Sequence, residues 1–135
     1  MSTLLITEAL ETALNGMSPA LATAWENIEF APVVGTPYQR VWFMPFVVKT
    51  PEVTKSHQVV SYFQIDLMYP ELQGSGAVLA RAELIKALFK KSSTFTNGGV
   101  TVTITEPPTI GSGSVDGDRW KVCVKIYYSA WIIVN

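Results

Sequence analysis

The sequence contains few of the residues from which catalytic and metal sites are usually built. Its 135 residues include one cysteine, Cys123, and one histidine, His57. A single cysteine cannot form an internal disulfide, and a single histidine beside a turn has no predicted partner for acid–base chemistry. We therefore expect no catalytic residues, no cofactor-binding residues and no metal ligands, and we predict that the protein is not an enzyme.

Charge is also scarce. Lys and Arg number 10 and Asp and Glu number 11, which gives a formal net charge of -1, and the sequence pI is about 5.8. Without a surplus of positive charge the chain cannot neutralise many phosphates, which argues against specific nucleic-acid binding. The N-terminus lacks a signal-peptide pattern, and the most apolar run, residues 126–134, is too short to cross a bilayer. We expect a cytoplasmic protein without membrane association.

Apolar residues, by contrast, are abundant. They make up 48% of the chain, against 16% charged residues, and the mean hydropathy is +0.25. The length is that of one domain, residues 1–135, and a monomer of this size has too little interior to bury so much apolar surface. We therefore expect buried contacts between subunits.

A strand and the helix that follows it organise the predicted fold. Residues 57–70 place apolar side chains at odd positions and polar ones at several even positions, which predicts a half-buried strand. Pro70 ends this strand because proline has no N–H to donate to a sheet. After a Gly-Ser-Gly break, in which Ser75 is the predicted N-cap, the apolar spacing becomes helical over residues 77–90.

The remaining long elements are one helix and three strands. Residues 3–15 carry apolar side chains at helical spacing and end at Asn-Gly. Residues 38–49 form a strand that is apolar on both faces, with Pro45 predicting a bulge or an edge position. Strict alternation predicts strands at residues 100–105 and 120–128.

The shorter segments are assigned to turns and loops. Residues 19–25 are compatible with a short helical turn, and residues 92–99 and 111–118 with polar loops. Together the elements predict the α+β class, with a mostly antiparallel sheet of about four strands and two main helices packed on one face.

Cys123 is the strongest candidate for reactivity, and it has two interpretations. Lys121 and Lys125 lie two residues away on either side, so their charges would lower the pKa of the thiol if all three side chains shared a face. The simpler interpretation, which we favour, is a half-buried cysteine of a strand. A small enzyme built around Cys123 is the alternative.

Two further motifs resemble ion sites only in part. Asp116-Gly117-Asp118 matches a fragment of a calcium loop but lacks the remaining ligands, so an ordinary turn is favoured. Gly74-Ser75-Gly76 precedes a helix, yet no Lys-Ser/Thr completes a phosphate loop, so a plain helix cap is favoured.

The best candidate for a functional surface is a subunit interface. Aromatic residues and methionine are enriched in interfaces, and they occupy the second face of the predicted strand at residues 38–49. The predicted interface residues are Trp42, Met44, Phe46, Tyr62 and Asp66. Further assembly contacts are expected in the loops at residues 50–56 and 111–118, because polar loops can order on binding.

Two adjacent segments carry a more distinctive pattern. Residues 25–32 read Trp-Glu-Asn-Ile-Glu-Phe-Ala-Pro, and residues 35–41 read Gly-Thr-Pro-Tyr-Gln-Arg-Val. In this order, and together with the strand ending at Pro70, the Gly-Ser-Gly break, the helix that follows and the last strand, they resemble the tail terminator-like (tail completion) family of long-tailed bacteriophages and prophages.

The resemblance implies a structural protein without catalytic residues. Members of such a family form a ring, commonly a hexamer, that caps the head-proximal end of the tail tube, stops its polymerisation and offers a surface for joining the head. The implied partners are other copies of the chain, the tail tube protein and the head–tail connector or neck proteins, while DNA passes through the ring without specific binding. The implied location is the virion tail, after assembly in the bacterial cytoplasm.

Two other functions remain compatible with the residues. One is another ring-forming component of the neck or tail tube, which shares a similar α+β core. The other is a binding module for a small ligand or peptide, for which Pro45 suggests an exposed sheet edge.

Overall fold

A computed structural model describes residues 2–45, 47–49, 56–72 and 74–133. Within these residues the chain forms two helices, α1 (Ser2–Asn15) and α2 (Gly76–Leu88). The strands, in chain order, are β1 (Ala22–Ala24), β2 (Tyr38–Phe43), β3 (Val47–Lys49), β4 (Ser56–Pro70), β5 (Thr94–Asn97), β6 (Val100–Ile104), β7 (Thr109–Ile110), β8 (Ser114–Asp116) and β9 (Arg119–Ile133).

The two longest strands, β4 and β9, form the centre of the sheet. They pair antiparallel along their whole length, from Ser56 opposite Ile133 to Pro70 opposite Arg119. Because side chains alternate along a strand, each of these strands sends one apolar set to a single face. The predicted central strand is therefore confirmed, and the last strand is longer than the pattern at residues 120–128 indicated.

The predicted strand count is wrong. The part of the chain that the structure describes forms one sheet of nine strands, in the order β1-β2-β4-β9-β6-β5, with β3 beside β4 and with β7 and β8 beside β9. All pairs are antiparallel except β1 with β2. Five of the strands have two to four residues, which is too short for alternation to be recognised.

Three local assignments also change. The predicted turn at residues 19–25 contains β1, which pairs with β2. The predicted loops at residues 92–99 and 111–118 contain β5 and β8, each of which is one arm of a hairpin. The strand predicted at residues 38–49 is divided into β2 and β3, both paired with β4, and Pro45 lies between them as expected of a residue that interrupts a ladder.

Both helices contribute to one core on a single face of the sheet. The core includes Ile6, Leu10 and Leu14 of α1 together with Val78, Ala82 and Ile85 of α2, all almost fully buried. Their partners are the odd-numbered apolar residues of β4 and the even-numbered residues of β9. The α+β class and the placement of the helices agree with the sequence prediction. Ser75 precedes α2 but makes no side-chain cap, and only its carbonyl accepts the Leu79 N–H.

The connection between β1 and β2 covers one end of the opposite face. Phe30 packs on Tyr38 with a ring-centroid distance of 5.0 Å. The buried guanidinium of Arg119 lies 5.0 Å from the Tyr38 ring and donates hydrogen bonds to the carbonyls of Val33 and Thr36. This contact holds the connection against the sheet.

Neither helix in the described part of the chain is long and apolar enough to cross a membrane.

Candidate interaction surface on the outer sheet face

The face of the sheet opposite the helices carries most of the predicted interface residues. The strand register aligns Arg40, Asp66 and Cys123 in one row, and Trp42, Gln64 and Lys125 in the next. Tyr62 and Tyr127 form a third row. We call these eight residues the outer face. Because both helices pack on the other side, these side chains form an outward surface of the chain.

Asp66 is the centre of a hydrogen-bond network on the outer face. Its Oδ2 accepts the indole Nε1–H of Trp42 at 2.9 Å, and its Oδ1 accepts the Nε2–H of Gln64 at 2.7 Å. The residue is only 7% exposed. The carboxylate is therefore buried in the single chain, where it fixes side chains of the neighbouring strands β2 and β4.

Cys123 lies on the same side of β9 as Lys121 and Lys125, as the sequence allowed, but its thiol is not activated. Burial, followed by the hydrogen bond and negative charge of Asp66, raises its pKa to about 11, while Lys121 and Lys125 act in the opposite direction. The amide of Gln64 donates to the sulfur at 3.6 Å. Since the thiolate is the nucleophile, the proposed reactivity of Cys123 loses its physical basis.

Aromatic rings and cations dominate the open part of the outer face. Tyr62 and Tyr127 lie with ring centroids 5.1 Å apart, and Nζ of Lys125 lies 5.7 Å from the Tyr62 centroid. The guanidinium carbon of Arg40 lies 5.9 Å from the centroid of the Trp42 ring. Trp42 is 41% exposed. Among the described residues, no carboxylate lies within 4.0 Å of either cation. Aromatic and arginine side chains of this kind are typical of interface centres.

The other predicted assembly contacts, two residues and two loops, are not among the eight residues of the outer face. Met44 lies in the break between β2 and β3, where its N–H donates to the Tyr62 carbonyl at 3.3 Å. Phe46 and residues 50–55 lie outside the described residues. Residues 111–118 are mostly exposed and include β8, whose Asp116 forms an ion pair with Lys121 at 3.7 Å.

A groove beside the end of β2 that β1 does not cover, residues 41–43, was missed by sequence reasoning. It has a volume of about 360 Å³ and is lined by Thr7, Glu11, Trp25, Glu26, Ile28 and Phe43. We call it the edge groove. The Glu26 carboxylate accepts the backbone N–H of Phe43, so a side chain occupies a donor that a further strand would otherwise use.

The edge groove is acidic. Burial, and then the negative charges of Glu8 and Glu26, raise the pKa of Glu11. Glu11 belongs to α1 and Glu26 to the segment after β1, so no local pattern predicted that they meet. The only sequence signal is the Trp-Glu pair at residues 25–26, which belongs to the motif that carries the family resemblance.

The comparisons with known proteins agree with this picture. A family model described as phage tail terminator protein matches residues 5–128. The chain belongs to this family. The resemblance drawn from the motifs at residues 25–41 is therefore confirmed.

Membership of the phage tail terminator family gives the protein a structural role in the phage tail. It also places the protein in the tail of the virion and implies contacts with other tail components. A tail terminator protein is a structural kind of protein, which agrees with the lack of an activated nucleophile at Cys123.

One solved structure, of a protein without a descriptive name, has the same fold as this tail terminator protein. The two are 26% identical and superpose with a TM-score of 0.80 over 100% of this chain and 99% of the other. No curated protein matches the sequence.

Proposed function

We propose that the protein assembles as a ring, a hexamer, on the head-proximal end of the tail tube. There it stops tube polymerisation and provides the surface to which the head is joined. The observation that carries this proposal is the match of the tail terminator family to residues 5–128.

The outer face supports the ring as a mode of assembly. Trp42, Tyr62 and Asp66 lie on it, and the hydrogen bonds of Asp66 hold the Trp42 indole in one orientation before any partner binds. Such pre-organisation reduces the entropy lost on association. We therefore propose that these three residues belong to the contact between subunits, within a single domain at residues 1–135.

The proposed partners follow from the position at the tube end. They are the tail tube protein on one side of the ring and the connector or neck proteins on the other. The low net charge of -1 suits a ring through which DNA passes without specific binding, because strong binding needs many phosphate contacts.

The proposal is tested by adding the purified protein to tail tubes that are polymerising from purified tube protein. We expect tubes of limited length with one capped end, seen by negative-stain electron microscopy, and a bound ring with six subunits by native mass spectrometry. Tubes of unlimited length without caps would contradict the tail terminator function. Polymerisation of this protein itself into tubes would instead indicate a tube component.

A further inference from the structure

Two surfaces of the chain carry opposite charges that have no ion-pair partner in the described residues. The outer face presents Lys125 beside Tyr62 and Tyr127. The edge groove presents the carboxylates of Glu11 and Glu26 and has no Lys or Arg in its lining. We propose that the two surfaces bind each other between copies: Lys125 of one copy enters the edge groove of the next copy. This inference rests on the proposed ring and assigns its two contact surfaces.

The outer face is suited to a charged and aromatic contact. Lys125 lies over the Tyr62 ring, so its amine is already positioned above a π-system and projects from a rigid strand. The central strands β4 and β9 hold the row with little freedom, because all 15 residues of each strand are paired. A cation held over an aromatic ring resembles the aromatic and cationic residues that dominate binding energy in interfaces.

The edge groove is suited to receive that cation. Besides its two carboxylates, the groove is lined by the apolar side chains of Trp25, Ile28 and Phe43, and Ile28 is 64% exposed. The apolar lining matches the aliphatic stem of a lysine, and the carboxylates match its ammonium group. Burial, and then the negative charges of Glu8 and Glu26, raise the pKa of Glu11, and a bound cation would offset the second of these causes.

A contact between two different surfaces allows a ring. Each copy can place its lysine in the groove of one neighbour and offer its own groove to another, which is a head-to-tail arrangement. Head-to-tail contacts close into a ring when the rotation between subunits divides a full turn. The lysine–groove contact therefore fits the proposed ring.

Charge reversal tests the contact directly. Lys125→Glu and Glu11→Lys each leave one surface intact, so each variant alone faces repulsion, and we expect at least about a tenfold higher concentration for assembly. In an equal mixture the two variants can alternate around a ring. The glutamate that replaces Lys125 then faces the lysine that replaces Glu11, and each unchanged Lys125 faces an unchanged Glu11, so every junction pairs opposite charges. The mixture, and the chain carrying both substitutions, should assemble again, and the mixture should give only alternating rings with even subunit numbers by native mass spectrometry.

Matched controls separate this effect from general charge effects and from misfolding. Glu83 lies in α2 and Lys90 follows it, and both residues are exposed. Glu83→Lys and Lys90→Glu should therefore leave assembly unchanged. Circular dichroism and thermal unfolding establish that each variant folds, and the milder variants Lys125→Ala and Glu11→Gln should show a smaller loss in the same direction if Glu11→Lys does not fold.

The outcomes distinguish this inference from the proposed function. If the wild-type protein forms rings only on tubes, the same variants are compared there by electron microscopy. Wild-type rings that tolerate both single reversals, or a mixture that fails to assemble, would overturn the lysine–groove contact alone. A wild-type protein that forms no ring in solution or on tubes would overturn the proposed function as well.

Discussion

Trp42 and Asp66 are joined diagonally across two strands. The register places Trp42 opposite Gln64 and Asp66 opposite Arg40, yet the indole Nε1–H of Trp42 donates to Asp66 Oδ2 at 2.9 Å. Gln64 donates to the other carboxylate oxygen at 2.7 Å. One acidic side chain therefore orients an exposed indole and a neighbouring amide on the outer face.

Asp66→Ala should destabilise the protein because it leaves two donors without their acceptor. We expect a loss of about 1–2 kcal/mol, the low end for unsatisfied groups, since water can reach the half-exposed Trp42. Asp66→Asn retains one acceptor oxygen and should lose less. Urea unfolding followed by tryptophan fluorescence measures both, and equal stability of Asp66→Ala and the wild type would show that the network contributes nothing.

Cys123 should react slowly with iodoacetamide at neutral pH. Its pKa is raised to about 11, so the folded protein carries about a hundredfold less thiolate than an ordinary cysteine with pKa 9. The rate should rise as the pH approaches 11 and should become normal in urea. A folded-state rate at or above that of a free thiol would restore the possibility of a catalytic cysteine.

Gly113→Ala should be destabilising for a steric reason. A Cβ at Gly113 would overlap the indole of Trp120, which packs against the core. Displacing this ring is expected to lower the free energy of unfolding by about 1–3 kcal/mol. Gly76→Ala is the matched control, because a Cβ there meets nothing within 4 Å and alanine is favoured in helices. Equal melting temperatures for the two variants would contradict this reading of the Gly113–Trp120 contact.

Stability should fall at alkaline pH partly through Tyr128. Burial raises the pKa of this phenol from 10 to about 12, with the Ser61 hydroxyl acting in the opposite direction. Because the folded pKa lies above the unfolded value, this contribution is fully present below pH 10 and is lost as the pH rises towards 12. Tyr128→Phe cannot ionise, so its loss of stability between neutral pH and about pH 11.5 should be smaller than that of the wild type. Urea unfolding at both pH values measures the difference, and identical losses would contradict it.

The sequence predicted the elements that have a clear period. The alternation in β4 and the helical spacing in α2 come from burial on one face, and burial acts on every second or every third to fourth residue. The predicted loop at residues 92–99 does contain a tight turn, at which Gly98 and Gly99 adopt positive φ of 57° and 83°. The residues before this turn, however, form β5 and pair with β6.

The parts that could not be predicted depend on neighbours distant in the chain. The three residues of β1 form a strand because β2 lies beside them, and no pattern within Ala22–Ala24 indicates this. Asp66 is buried in the single chain because Trp42 and Gln64 bind its carboxylate, and the pattern within β4 does not indicate these partners. The edge groove requires Glu11 and Glu26 to meet across two elements.

The pairing of β4 with β9 also bears on how the chain acquires its structure during synthesis. Pro70 pairs with Arg119 and Ser56 with Ile133, so roughly 50 to 80 residues separate the two members of every rung, and contacts so distant in sequence form slowly. Until β9 has left the ribosome, β4 has its apolar side chains and one backbone edge without their main partner. The nascent chain therefore completes its sheet only when β9 is available. Before that point it exposes apolar surface and a strand edge, which are the features that chaperones bind.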